Sequence, residues 1–341
     1  MQRLANKQIL GIIDATADSQ SLSALTTNRP IASLMFSGRY RLIDFMLSNM
    51  MHAGIDSVGL FSHHLHNSLK GYLGSGKTWD LDRKNGGLFF YAQNKHDRDN
   101  GQLILDYNKG FFERAPYEYV AVAPGNIIGR VNFLEMLKQH KENKSNITQA
   151  HSEGKELPIY LLKRELFVKF LESINLGEPK SLMGFVESNA RVAGITPFHV
   201  NEKIYTIDSL MSYYKNSMRL LAQEEWKKNF PKVLPVITKS RDEAPTKYTA
   251  DSNVKGAVIA NGCIIEGEVV SSVIARGARI GKNSIVRNSI IMPRVVIGDN
   301  CFLDGVIVDK EVTIEKGAIL KGNFKHPIIV PKGATVYKEW K

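Results

Sequence analysis

Residues 276–303 read RGARIGKNSIVRNSIIMPRVVIGDNCFL, and this stretch decides the architecture of the last third of the chain. Lone aliphatic residues recur every six positions, at Ile274, Ile280 and Val286, then Ile291, Ile297 and Leu303, then Val308, Ile314 and Leu320. Corresponding members of successive triplets lie seventeen residues apart, close to three hexads per turn. Turn formers fill the positions between. A hexad supplies one short strand with one inward aliphatic, and successive turns stack these into a continuous core. The repetition predicts a left-handed parallel β-helix, which with its tail covers residues 254–341. Cys263 and Cys301 fall at small inward positions of the same pattern, so core packing is expected of both.

Upstream, residues 237–253 are polar and aperiodic and read as a linker. Residues 1–236 alternate strand-like and helix-like segments: QILGIID, then RLIDFMLSNMMHAG ending at Gly54, then DSVGLFS, and later YVAVAPG and VNFLEMLKQHKENK. This order predicts an α/β, Rossmann-like domain with a parallel, doubly wound sheet, which binds ligands at the carboxyl ends of its strands. The first strand runs into a turn where such folds place a glycine-rich phosphate loop. Yet Thr16–Leu22 holds no glycine, arginine or lysine.

The composition, 341 residues with 43% hydrophobic and 23% charged, is that of a soluble globular protein of about two domains. No apolar run approaches the roughly 20 residues that span a bilayer. No signal-peptide pattern opens the chain, and two cysteines make no disulfide framework, so the cytoplasm is the expected location. The net charge of +11 favours anionic ligands or an acidic partner. The basic residues are spread along the chain without a recognisable nucleic-acid module.

Two motifs are set aside. Residues 71–78, GYLGSGKT, match a P-loop, but the preceding HHLHNSLK is helix-like where a buried strand is required. The histidines of HHLH, residues 63–66, lack a nearby carboxylate or cysteine to complete a metal ligand set.

The segment FSGRYRLIDFMLSNMMHAGID, residues 36–56, resembles the F-G-G-K-Y-R-I-I-D-F-x-L-S-N motif of bacterial glucose-1-phosphate adenylyltransferases. WDLDRKNGG at 79–87 is similar to that family's W-D-L-D-R-x-x-G-G, and SSVIARGARIG and NSIIMPRVVIGDN to its β-helix. The resemblance runs from about residue 9 to 320. It implies a nucleotidyltransferase (GT-A-like) domain followed by the β-helix, with ADP-glucose made from ATP and glucose 1-phosphate. Such catalysis needs cations around the triphosphate, carboxylates on Mg²⁺ and donors for the sugar.

Carried over position by position, these elements are degenerate. The family loop G-G-x-G-x-R-L falls on Thr16, Ala17, Asp18, Ser19, Gln20, Ser21 and Leu22, and the Lys-Pro pair that follows falls on Ile31 and Ala32. The family's metal-binding aspartate in S-G-D-H becomes Asn126. Its second aspartate becomes Lys203, in front of IYTIDSL. Unit charges about 4 Å apart at an effective dielectric near 20 interact by about 4 kcal/mol, so an ammonium there is expected to repel Mg²⁺. The adenine-contacting G-T-A-D-A motif is eroded to NGQLI near 100–104. Between SNITQA and IYLLKRELF, where the family carries more chain, only HSEGKELP intervenes.

A retained scaffold around a stripped site resembles the noncatalytic partner subunit of this family. The resemblance therefore implies a glycogen-biosynthesis protein, inactive alone, that joins a catalytic glucose-1-phosphate adenylyltransferase subunit, by analogy as a heterotetramer, and modulates it. It implies no tightly bound cofactor, with Mg²⁺ confined to the catalytic partner. Arg29 and Arg41 match family arginines near the loop, and Arg276 and Arg279 lie near the facing β-helix, so phosphorylated sugar effectors are a possible ligand class. The alternatives are an active nucleotidyltransferase with a rearranged site and an ATPase using residues 71–78. A hexapeptide acyltransferase is disfavoured, because His326 is the only histidine beyond residue 253. Lys77→Ala should leave ATP binding unchanged in an equilibrium titration; lost binding with the fold intact would restore the P-loop reading.

Overall fold

The computed structural model describes residues 8–62, 67–92, 109–172 and 182–338. Seven strands form one sheet: β1 (Ile9–Ala15), β2 (Ser57–Ser62), β3 (Gly87–Ala92), β4 (Tyr119–Pro124), β5 (Ile147–Ser152), β6 (Lys155–Lys163) and β7 (Ile195–His199). Their order is β7-β5-β6-β4-β1-β2-β3. β1 lies inside the sheet, parallel to both neighbours, with Gly11 opposite Val58 and Ala121. Its continuous apolar run fits a strand covered on both faces. One cluster takes Ile9 and Ile13 with Met46 and Met50, and the other takes Leu10 and Ile12 with Phe112 and Phe167. Met46 and Met50 lie on helix α1 (Leu42–His52), which ends before the left-handed Gly54. Helix α2 (Phe133–Glu142) starts at Asn132, whose side chain accepts the Glu135 N–H.

The sheet departs from the expected all-parallel order at β6, which runs antiparallel to β4 and β5. The cause is local. Glu153 and Gly154 both have positive φ, as a two-residue hairpin turn requires, and such a turn cannot make the long crossover of a parallel pair. HSEGKELP is therefore a closed hairpin that needs no further residues.

The carboxyl-terminal region coils through three parallel sheets of six, five and five short strands. Ile274 pairs with Ile291 and Ile291 with Val308; Ile280, Ile297 and Ile314 stack in the same way, as do Val286, Leu303 and Leu320. All nine are buried, and Cys263 and Cys301 lie in the same core. The coil begins earlier than residue 254. Lys247–Tyr248 already pairs with Ile264–Ile265, inside the stretch read as linker. A two-residue strand carries too little pattern to stand out from polar sequence. Glycines mark the corners where rungs touch: a Cβ on Gly281 would sit 2.6 Å from the backbone of Gly298, one rung on.

The two halves share an apolar interface. Leu25, Ile31, Phe36 and Phe45 cluster with Val273, Ile290 and Ile307 from one β-helix face. Within this interface Arg29 donates to Asp309 Oδ2 at 2.7 Å, with both side chains almost fully buried. Arg29 Nε also donates to the Leu25 carbonyl at 2.7 Å. The segment after residue 234 is fastened to α1 and its neighbours. Trp79 Nε1 donates to the Ile237 carbonyl, Ser48 Oγ accepts the Ile237 N–H, and the Tyr72 hydroxyl meets Thr238 Oγ1. Trp79 of the WDLDR motif is thus a structural anchor.

Removing one partner of a buried ion pair strands the other charge. Asp309→Ala should cost about 3–5 kcal/mol in denaturant unfolding, and Arg29→Met with Asp309→Leu should cost less than the single change. Equal costs would mean that the pair contributes through packing alone.

Candidate functional site

The turn after β1 is closed by its own side chains. Asp14 Oδ1 accepts the Thr16 N–H and Asp18 Oδ1 accepts the Ser19 N–H, each at 2.8 Å. A phosphate loop works by offering such backbone donors to an anion. Here carboxylates of the chain occupy them. Ser21 Oγ lies 3.1 Å from Ser19 Oγ and accepts the N–H of Leu210 at 3.2 Å. Leu210 opens helix α3 (Leu210–Arg219), so Ser21 fastens the loop to an unsatisfied helix terminus. Thr16 is buried, Ala17 and Ser19 are half-buried, and Asp18, Gln20 and Ser21 are exposed. Ile31 opens a short 3-10 turn and is 1% exposed in the interface core. Ile31, where the resemblance implies a lysine, is a packing residue.

Asn126 follows β4 and is buried. Its amide donates to the Ile207 carbonyl at 2.7 Å, its own carbonyl accepts the Ile207 N–H at 2.9 Å, and Oδ1 has no partner. Beyond it, Ile127–Ile128 pairs antiparallel with Tyr205–Thr206. Ile207 therefore opposes Asn126, and Lys203 lies past the other end of this ladder, its carbonyl beside Gly129. Lys203 Nζ is 2.5 Å from Glu153 Oε2, which raises its pKa. The ladder does not bring the ammonium to Asn126, and its charge is already paired, which corrects the expected repulsion. The residues do not fit Mg²⁺ for a simpler reason. Neither position carries a carboxylate, and no group of three His, Cys, Asp or Glu side chains among the described residues could hold a metal.

The arginines separate. Arg41 is buried, its guanidinium 4.0 Å from the centre of the Tyr72 ring, and Nη1 donates to the Ser68 carbonyl and hydroxyl. Its Nε is buried without a partner, and burial pulls the group down to about 10. The Arg41 N–H and the Tyr72 hydroxyl both donate to Asp44, whose carboxyl burial raises to about 6. Arg41 and Arg276 line a cavity of about 410 Å³ between the halves, together with Arg39, Arg241, Arg294 and Lys310. Arg29, Lys310 and Lys332 line a second cavity of about 330 Å³. Arg29 is engaged with Asp309, and Arg276 lies 3.7 Å from Glu243. Arg279 is exposed and lines neither cavity. Sequence reasoning missed Arg39, Arg241, Arg294, Lys310 and Lys332. The rung period held one signal, since Lys310 follows Arg276 by thirty-four residues, two rungs.

The segment 71–78 ends the helix Asn67–Leu73 and enters a 3-10 turn at Lys77–Trp79, so the lysine does not follow a strand or open a long helix. HHLH and the NGQLI region lie outside the described residues. A cavity of about 760 Å³ lies beside Ser57, Gly86 and Tyr117, at the amino ends of β2, β3 and β4 and away from the nucleotide end.

Residues 11–156 match the family described as nucleotidyl transferase, and residues 244–325 match the GlmU-like, C-terminal hexapeptide family. No helix among the described residues is long and apolar enough to cross a membrane. The glycogen biosynthesis protein GlgD of Bacillus subtilis (strain 168) is 36% identical over 332 residues, covering 96% of this chain and 97% of the relative. The GlgD protein of Geobacillus stearothermophilus is 39% identical over 333 residues with the same coverage. A glucose-1-phosphate adenylyltransferase of Clostridium perfringens (strain 13 / Type A) is 28% identical, with 86% of each chain covered. A nucleotidyltransferase-like sheet domain joined to a hexapeptide β-helix, with this similarity along nearly its whole length, makes the chain a member of the GlgD family of glycogen biosynthesis proteins.

Proposed function

We propose that this chain is a catalytically impaired, regulatory subunit that assembles with a catalytic glucose-1-phosphate adenylyltransferase and modulates ADP-glucose synthesis. The observation that carries this reading is the closed loop. Asp14 and Asp18 hold the amides a triphosphate would use, Ser21 is tied to Leu210, and Ile31 is core. Phosphoryl transfer depends on positioning and on neutralising phosphate charge, and the loop supplies carboxylates instead of cations. A chain keeping the scaffold without this chemistry retains surfaces through which it can act on a working homologue. The assembly would be a heterotetramer by analogy with the family, and any Mg²⁺ would belong to the catalytic partner.

A second reading, an active enzyme with a rearranged site, draws on the unpartnered Oδ1 of Asn126. Pyrophosphate release discriminates the two. Alone, the chain should run at least about a thousandfold below a catalytic homologue, the scale lost when transition-state cations are removed. Turnover by the chain alone that Asn126→Ala abolishes would support the second reading instead. Mixed with the catalytic subunit, it should form a complex detectable by light scattering and change that enzyme's rate or effector response; no complex and no kinetic effect would reject the regulatory role.

The cationic cavities support phosphorylated effectors as ligands, with Arg41 as one contact because it lines the larger of the two and makes no ion pair among the described residues. Arg41→Ala should weaken the binding of a sugar phosphate such as glucose 1-phosphate about tenfold or more, the scale of one hydrogen bond to a charged group. An unchanged isotherm would remove the effector site.

A further inference from the structure

Among the described residues, Lys310 is the one shared by the 410 Å³ and 330 Å³ cavities. Together the two cavities present eight cationic side chains and two carboxylates. Both carboxylates are engaged: Asp309 accepts from Arg29 through Oδ2 and from the Lys310 N–H through Oδ1, and Glu243 lies beside Arg276. Glu311, outside the cavities, pairs with Arg294 and Lys332. Arg39, Arg41, Arg241 and Lys310 make no ion pair among the described residues. Lys310 faces Arg29 and Arg41 from the sheet domain, and Asp309 and Lys332 from the β-helix.

Such a cluster of like charges can be relieved in two ways: a counter-anion can enter, or a proton can leave. The arginines keep their charge around neutrality, Arg41 included, since burial lowers it only to about 10, so the proton that leaves there must come from a lysine. Lys332 is exposed and shares Glu311. Lys310 is half-buried among arginines, and burial, with Arg29 and Arg41 next in weight, pulls its ammonium down to about 7. We propose that anion binding in this cleft is coupled to proton uptake by Lys310, so that occupancy is favoured as pH falls through neutrality. This rests on the effector-cleft reading above and adds its regulation. The sign follows from linkage: a bound dianion stabilises the ammonium and restores it toward the ordinary lysine range near 10.4. Below about pH 7 the empty cleft already carries the proton and affinity is flat. Above it, each binding event must first recover a proton, and affinity falls by up to about tenfold per pH unit.

Inorganic sulfate is the probe, because it does not itself titrate in this range. Its binding is measured by calorimetry at pH 6, 7, 8 and 9 and constant ionic strength, in paired buffers of different ionisation enthalpy. Wild-type protein should take up close to one proton per sulfate at pH 8 and little at pH 6, with affinity falling above pH 7. Lys310→Arg, permanently charged, should still bind sulfate but lose both the uptake and the pH dependence. Sulfate binding with constant affinity and no uptake in wild-type protein would overturn this inference and leave the anion cleft standing. An unchanged proton uptake in Lys310→Arg would also overturn it, by assigning the proton elsewhere. Absence of sulfate binding at every pH would overturn both.

Discussion

A parallel β-helix built from short hexads has flat faces, and an apolar face must be covered. Here Val273, Ile290 and Ile307 form such a face, and the chain between Leu22 and Phe45 lies against it with Leu25, Ile31, Phe36 and Phe45. Much of the remaining arrangement follows from this contact. It fixes Arg29 where it meets Asp309, and it sets the two halves at the separation that leaves cationic cavities between them. It also claims Ile31, a position at which the resemblance implies a phosphate-binding lysine. The site's chemistry and the interface compete for the same short stretch, and in this chain the interface holds it.

The loop after β1 takes up its own backbone donors. Asp14 and Asp18 accept from Thr16 and Ser19, and Ser21 is fastened to Leu210. An anion would have to displace carboxylates that are already positioned, with no nearby cation in the loop to offset the repulsion. At Asn126, where the resemblance implies a metal-binding aspartate, the side-chain amide likewise completes a backbone ladder with Ile207.

Charge is instead collected at the boundary between the halves. Arg41 stacks on Tyr72, Tyr72 and the Arg41 amide hold Asp44, and Tyr72 also meets Thr238 of the connecting segment. This network joins the arginine that faces the cavity to the segment that leads into the β-helix. A ligand in the cavity would therefore touch both halves and their connection at once.

Most of the β-helix was legible from the sequence, because its physics is one-dimensional: each inward aliphatic repeats every rung, so Ile274, Ile291 and Val308 report their own stacking, whereas the first strand, Lys247–Tyr248, was hidden in polar sequence. The absence of glycine and cations from Thr16–Leu22 was equally visible, since charge and the backbone freedom of glycine are properties of residue type. Other features depended on distance. The antiparallel β6 turned on the positive φ of Glu153 and Gly154, and Lys203 proved to be paired with Glu153, not set against Asn126. Arg29, Arg41 and Arg276 could be read as a basic group, but their separation into an ion-paired strut, a cavity wall and a Glu243 partner could not. Periodicity and residue chemistry are local to the chain. Which buried charges meet is set by the packing of two domains, and only the tertiary structure decides that.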